Sequence, residues 1–134
     1  MELNVVSVDE LDLKDLEWLQ TAREDQLGGI SPGSLAERVA EGRAQLWKYT
    51  GDEGQSGIII TTVLDHEKGK ELFVWLMAGR GLRPHMNEIM ERLSEFAKAT
   101  GCKWLTGRSK PAIARVLQRQ AGFDVRRHEV VKEV

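Results

Sequence analysis

Apolar positions fall into two periods along this chain. Over residues 2–8, Leu3 and Val5 alternate with polar neighbours, the two-residue period of a strand. Over residues 13–26, Leu16, Leu19 or Gln20, and Arg23 fall in helical steps. Asp12 is placed to cap that helix and Gly28-Gly29 to stop it. Ser34-Leu35-Ala36-Glu37 has the capping-box spacing, in which a serine oxygen accepts from the backbone near the glutamate and the glutamate reaches back. It predicts a short helix from Ser34 to about Gly42. Residues 45–49 predict a strand, 51–57 a turn, and 58–64 (IIITTVL) a strand rich in β-branched residues. Residues 65–70 predict a polar turn and 71–77 (ELFVWLM) another apolar strand. The two runs should pair antiparallel, and being almost wholly apolar they should be covered on both faces.

After that strand come two glycines, Gly79 and Gly81, and then a helix to about Thr100. Met86, Ile89, Met90, Leu93, Phe96 and Ala97 form its apolar stripe, and Gly101 ends it. Residues 102–106 predict a strand. Pro111 suits the first turn of a last helix over 112–121, with Ile113, Val116, Leu117 and Ala121 inward. Gly122 stops it, and one final strand runs from Phe123 to Val134. The predicted order is β-α-α-β-β-β-α-β-α-β. The fourth and fifth strands, joined by a helix, should be parallel through a right-handed crossover.

The length, 134 residues, suits one domain. Hydrophobic residues make up 41% and charged ones 30%, which is a globular composition rather than a disordered one. No apolar run approaches the roughly 20 residues that span a bilayer. The acidic start, MELNVVSVDELDLKDLE, lacks a basic region followed by an apolar one, so no signal peptide is expected. The lone cysteine, Cys102, has no internal disulfide partner, and a reducing, cytoplasmic setting is expected. The net charge of −2 conceals an asymmetry: residues 1–100 carry 11 basic and 18 acidic side chains, residues 101–134 carry 8 and 3. A basic last third could meet an anionic ligand, a nucleic acid or an acidic partner. It could equally be solvated surface balanced by the acidic part.

The element order and the ending GCKWLTGRSKPAIARVLQRQAGFDVRRHEVVKEV resemble the Gcn5-related N-acetyltransferase (GNAT) superfamily. The sharpest piece is AIARVLQRQAGFDV, which is similar to the family's fourth helix, Gly-Phe and last strand. The small size resembles GNAT-like proteins carried by tailed phages, in host cytoplasm or virion. The resemblance implies a single α/β GNAT-like domain over 1–134, with a mixed central sheet of about six strands and four helices. It also implies acetyl-CoA or another acyl-CoA as cosubstrate and an amine acceptor. In the family, the backbone of the fourth strand holds the thioester, here near Leu76 and Met77. A loop of pattern Arg/Gln-x-x-Gly-x-Gly/Ala and the next helix N-terminus bind the pyrophosphate.

That pattern falls on Gly81-Leu82-Arg83-Pro84-His85-Met86 and departs from it. Pro84 replaces the central glycine and has no N–H to donate, and Met86 crowds the last small position. Arg80 and Arg83 could supply by charge what the backbone lacks, or be exposed turn residues. His85 is a base or ligand candidate, or an inert first-turn histidine. Glu71 sits where some family members place a general base, or is a paired strand-end glutamate. The helix tyrosine that protonates the leaving thiolate in many members is Gln118 here, and an amide is no acid.

Asp65-His66-Glu67 has metal-type identities but no partners at ligand spacing. Trp18, Trp47, Trp75 and Trp104 read as core or core-rim residues, with Trp75 and Trp104 alternatively walling an acyl cleft. No P-loop, dinucleotide fingerprint or nucleophilic triad can be placed. Three functions follow: an N-acyltransferase with a non-standard phosphate loop; a GNAT-fold binding or structural protein that has lost acyl-CoA; and, least supported, a nucleic-acid binder, which lacks a groove-reading motif. The last strand, as an exposed edge, could pair two copies into a homodimer.

Overall fold

The computed structural model describes residues 1–21, 32–108, 115, 118, 124–126 and 129–134. The chain divides into two compact units, Met1–Thr62 with Trp75–Leu82, and Val63–Val74 with Arg83–Val134. Among the described residues are seven strands and three α-helices: β1 (Glu2–Val6), α1 (Leu13–Thr21), α2 (Pro32–Ala40), β2 (Gln45–Thr50), β3 (Ser56–His66), β4 (Gly69–Arg80), α3 (Met86–Ala99), β5 (Cys102–Arg108), β6 (Asp124–Arg126) and β7 (Glu129–Glu133). Short 3-10 turns occupy Val8–Glu10 and Arg83–His85. This is the mixed α/β class expected.

In the first unit the strand order is β1-β2-β3-β4. β1 runs antiparallel to β2 with Leu3 opposite Tyr49, and β2 antiparallel to β3 with Trp47 opposite Ile59. One face of this sheet and the two helices bury a core of Leu19, Leu35, Leu46, Ile58, Ile60 and Leu76. A fully buried Leu or Ile is worth ~1.5–3 kcal/mol, so the contiguous β3 run is a main source of stability here. The other face of β3 is buried as well, as two unbroken apolar neighbours required: Ile59 and Thr61 are 0% exposed. There the Trp47 indole N–H donates to Thr61 Oγ1 at 2.9 Å, and Thr61 donates onward to Gln45 Oε1 at 2.9 Å.

Helix α1 begins as expected at Asp12, in a reciprocal cap. The Asp15 N–H donates to Asp12 Oδ1 at 2.9 Å, and the Asp12 N–H to Asp15 Oδ2 at 3.2 Å. Its course beyond Thr21, like the Gly28-Gly29 stop, lies outside the described residues. The Asp15 side chain is fully buried and ion-paired to Lys48 Nζ on β2, whose side chain is 20% exposed. Ser34 does not cap α2. The helix begins at Pro32, whose fixed φ suits a first helical position, so Ser34 falls inside the first turn. The capping-box geometry occurs instead at Ser7, whose N–H donates to Glu10 Oε2 at 2.6 Å.

In the second unit the order is β3-β4-β5-β7-β6. β4 and β5 are parallel, as a crossover through α3 demands, with Leu72 opposite Leu105. The register slips by one between Lys70 and Glu71, leaving Lys103 as the extra residue on β5. α3 packs on β5 and buries Met86, Ile89, Met90, Leu93 and Ala97, the predicted stripe except for half-buried Phe96. The predicted last strand is a hairpin instead: β6 and β7 pair antiparallel, Asp124 opposite Val131, and β7 pairs β5. A two-residue period is the same in one long strand and in two folded together, so the pattern could not separate them. Of the last predicted helix only Arg115 and Gln118 are described, both helical and exposed.

Two stability tests follow. Lys48→Met leaves the Asp15 carboxylate buried without its cation and should cost about 3–5 kcal/mol in urea unfolding at pH 7. A change under about 1 kcal/mol would show the pair to be dispensable. Asp12 titrates below its ordinary 3.8, first because the Asp15 N–H bonds its charged form, then through Lys48, with burial opposing both. Its contribution is therefore complete above that ordinary value and lost as pH falls through the depressed one. Asp12→Asn, which keeps an acceptor but no charge, should lose less stability than wild type between pH 5 and pH 2. Parallel losses would refute the assignment.

Candidate functional site

The sequence-chosen residues divide between the units. In the first, Leu76 turns its side chain into the core. Met77, next along the strand, is half-buried. Trp75 packs against the same core and carries the Arg38 guanidinium 5.1 Å from its ring centre. Arg80 and Gly81 are exposed. Gly79 and Gly81 have φ of +155° and +75°, values that favour glycine.

Both glycines also have a packing reason. A Cβ on Gly79 would meet the Ser56 carbonyl oxygen and lie 2.5 Å from Gly57 Cα, while one on Gly57 would lie 2.6 Å from the Ala78 carbonyl oxygen. A Cβ on Gly81 would run into the Gln55 side chain. The room these glycines leave is thus taken by the chain entering β3. Gly79 is accounted for by close backbone approach to Ser56 and Gly57, and Gly81 by the Gln55 side chain.

In the second unit, Arg83 is exposed in the 3-10 turn ahead of α3, and His85 is the N-cap, with no side-chain cap bond to the helix. His85 Nδ1 lies 3.8 Å from Glu88 Oε1. The helix N-terminus therefore has an acid in its first turn, which complements the helix dipole and competes with a bound anion. Arg83 is the cation in the turn ahead of the helix.

Glu71 lies at the register slip of β4 and is 17% exposed. Thr106 Oγ1 on β5 donates to its Oε2 at 2.6 Å, and His66 Nε2 at the end of β3 meets its Oε1. Thr106 is buried, and Trp104, opposite Glu71, is half-buried. Neither His66 nor Thr106 was chosen from sequence as a partner of Glu71. Residues 65–70 read as a turn, whereas β3 continues through His66 and only positions 67–68 turn. A two-residue hairpin connection would have brought His66 and Glu71 together. Thr106 could be found only from the parallel register and its slip. Among the described residues no group of three or more His, Cys, Asp or Glu could hold a metal, and no helix is long and apolar enough to cross a membrane. Cys102 is a buried free thiol.

No family model matches the chain, and no curated protein matches it. Solved structures do. A probable acetyltransferase superposes with a TM-score of 0.70 at 12% identity, over 95% of this chain and 92% of that one. Tetrahymena Gcn5 superposes at 0.57 and 12%, over 90% and 78%. AtaT matches in two complexes: with AtaR on DNA, at 0.61 and 11% over 99% and 94%, and as a Tyr-to-Phe mutant toxin with the C-terminus of its antitoxin AtaR and acetyl-CoA, at 0.54 and 10% over 98% and 92%. The chain has the fold of the GNAT acetyltransferases. At these identities the likeness is one of fold.

Gly79→Ala tests the packing account. With a backbone neighbour on one side and a glycine φ, it should cost about 1–3 kcal/mol in thermal or urea unfolding. A stability equal to wild type would free the glycine for some other purpose.

Proposed function

We propose that this protein is an N-acyltransferase that uses acetyl-CoA or another acyl-CoA and an amine acceptor. The observation that carries the reading is Glu71, a carboxylate pinned by a buried hydroxyl on the fourth strand of a GNAT fold. One protein of the same fold holds acetyl-CoA. Leu76 and Met77 offer backbone groups for a thioester. Arg80, Gly81, Arg83 and His85 are the proposed phosphate contacts. Here charge replaces the amide that Pro84 lacks. Guanidinium groups can bind phosphate through two parallel hydrogen bonds, so two arginines can do the work of several backbone donors. A phage origin and a cytoplasmic site belong to the same proposal, resting on the small size and the single buried thiol.

A second reading is supported by Gly79 and Gly81, whose space is taken up by Gln55–Gly57. On it, the fold is kept without acyl-CoA and serves to bind a protein partner. AtaT, of like fold, is seen with an antitoxin.

Calorimetry with acetyl-CoA separates the two. Saturable binding, weakened about tenfold or more by Arg80→Ala with Arg83→Ala, is the expected result. It would correspond to roughly 1.4 kcal/mol or more of lost contact. No heat and no thermal shift at millimolar acetyl-CoA would leave the binding-protein reading.

A further inference from the structure

We propose that a groove in the first unit, between the end of β1 and the end of α2, docks an extended segment of a partner protein in which an aliphatic side chain is flanked by lysine or arginine. The proposal holds whether or not acyl-CoA binds. The groove measures about 570 Å³. Ala44 and Leu46, at the start of β2, are buried and form its floor, and half-buried Val6, Val8 and Val39 line its walls. Val5, 53% exposed on the outermost strand, and exposed Ala40 stand at the rim. Gly42 leaves one side open: its φ is +76°, and a Cβ there would meet nothing within 4 Å. An apolar hollow with a polar rim is the form of an interaction site rather than of ordinary surface.

The polar groups of the lining select the occupant. Ser7 gives its N–H and its hydroxyl to Glu10 Oε2, at 2.6 and 3.3 Å, and Gln45 Oε1 accepts from Thr61 at 2.9 Å. Asp9 adds an exposed carboxylate at the rim. A small polar ligand is oriented by several convergent donors and acceptors, whereas this lining sets one carboxylate beside aliphatic carbon. That pairing suits an aliphatic side chain with a cation next to it. The surroundings carry the same sign. Residues 5–10 and 37–46 hold four acids, Asp9, Glu10, Glu37 and Glu41, against two bases, Arg38 and Arg43. Both bases are engaged: Arg43 Nη2 bonds Glu41 at 2.5 Å, and the Arg38 guanidinium lies over Trp75. The rim is therefore net acidic, and opposite charge on the occupant speeds encounter and fixes its register.

The groove is distinct from the residues proposed for acyl-CoA. None of Leu76, Met77, Arg80 or Gly81 lines it. The turn after β4 and the groove lie at opposite ends of β2. Gln45, in the groove, is opposite Thr61, while Thr50 is opposite Ser56, whose carbonyl oxygen meets Gly79. Five strand steps of ~3.4 Å set those ends roughly 17 Å apart. A peptide in the groove and a phosphate at Arg80 therefore have no contact residue in common.

The test titrates the whole chain into a fluorescent peptide, Lys-Lys-Val-Leu-Val-Lys-Lys, and follows its anisotropy. Control peptides carry serine for the apolar residues or glutamate for the lysines. Saturable binding of the first peptide alone is expected. Asp9→Lys, which reverses the rim charge, and Ala40→Trp, which fills the groove, should each weaken it about tenfold or more. Millimolar acetyl-CoA, and Arg80→Ala with Arg83→Ala, should leave it unchanged. Amide NMR of wild type, which needs no variant, should show peptide-induced shifts at residues 5–9 and 39–46. No saturable binding, equal binding of either control peptide, both variants as tight as wild type, shifts confined to other residues, or displacement by acetyl-CoA would overturn the proposal. So would a dimer broken by Ala40→Trp and indifferent to the peptide, which would give the groove to a second copy. Peptide binding without any acetyl-CoA binding would sink the acyltransferase reading and leave this one standing.

Discussion

Everything of interest hangs on one strand with unlike neighbours. β4 pairs antiparallel through a tight hairpin on one side and parallel through a helical crossover on the other. Parallel and antiparallel ladders space their hydrogen bonds differently, and over Lys70–Val74, where β5 lies alongside, the strand has to satisfy both. The register slip beside Glu71 is where this constraint relaxes. A bulge re-aims the side chains next to it, which is why bulges collect near working sites. Glu71 is set at the place where the ladder permits a polar side chain to turn towards Thr106. Each half of the strand belongs to a different compact unit, Gly69–Val74 to one and Trp75–Arg80 to the other.

The loop after β4 shows how a motif can keep its composition and change its reason. Two glycines, a proline and two arginines in six positions invite a reading as a phosphate cradle. Yet Gly79 and Gly57 are small because two backbones meet there, and Gly81 because Gln55 occupies its space. Glycine is needed for close approach whatever makes the approach, ligand or chain. The amide that would have pointed at a phosphate is missing at Pro84. Ahead of the helix stands Arg83, with the opposing charge of Glu88 in the first helical turn.

The sequence was legible where a pattern had one physical cause. The β-branched run of β3, the helical stripe of α3 and the parallel crossover followed from burial and chain geometry alone. It was illegible where one pattern serves two structures. Ser34-x-x-Glu37 has the letters of a cap, but Pro32 starts the helix earlier. Alternation from Phe123 onward fits one strand or a hairpin. Asp65–Lys70 looks like a polar turn because exposed strand ends are polar too. That last ambiguity hid the most interesting group of side chains. Its members lie five and 35 residues from Glu71, and only pairing register brings them together.

Distance from known sequences bears on what may be carried over. At 10–12% identity the fold persists while individual positions do not, so a role cannot pass from a neighbour by alignment. Local chemistry has to carry it. Two carboxylates among the described residues, Asp15 and Glu71, are held by partners at or below the surface, and they differ in kind. Asp15 is buried against Lys48 in the first unit, and it caps a helix and closes an ion pair, which is a structural task. Glu71 caps nothing. Its neighbours are a buried hydroxyl that fixes it and a half-exposed imidazole that it fixes. Exposure rises outward from Thr106 through Glu71 to His66, whereas Asp15 is closed off by Lys48.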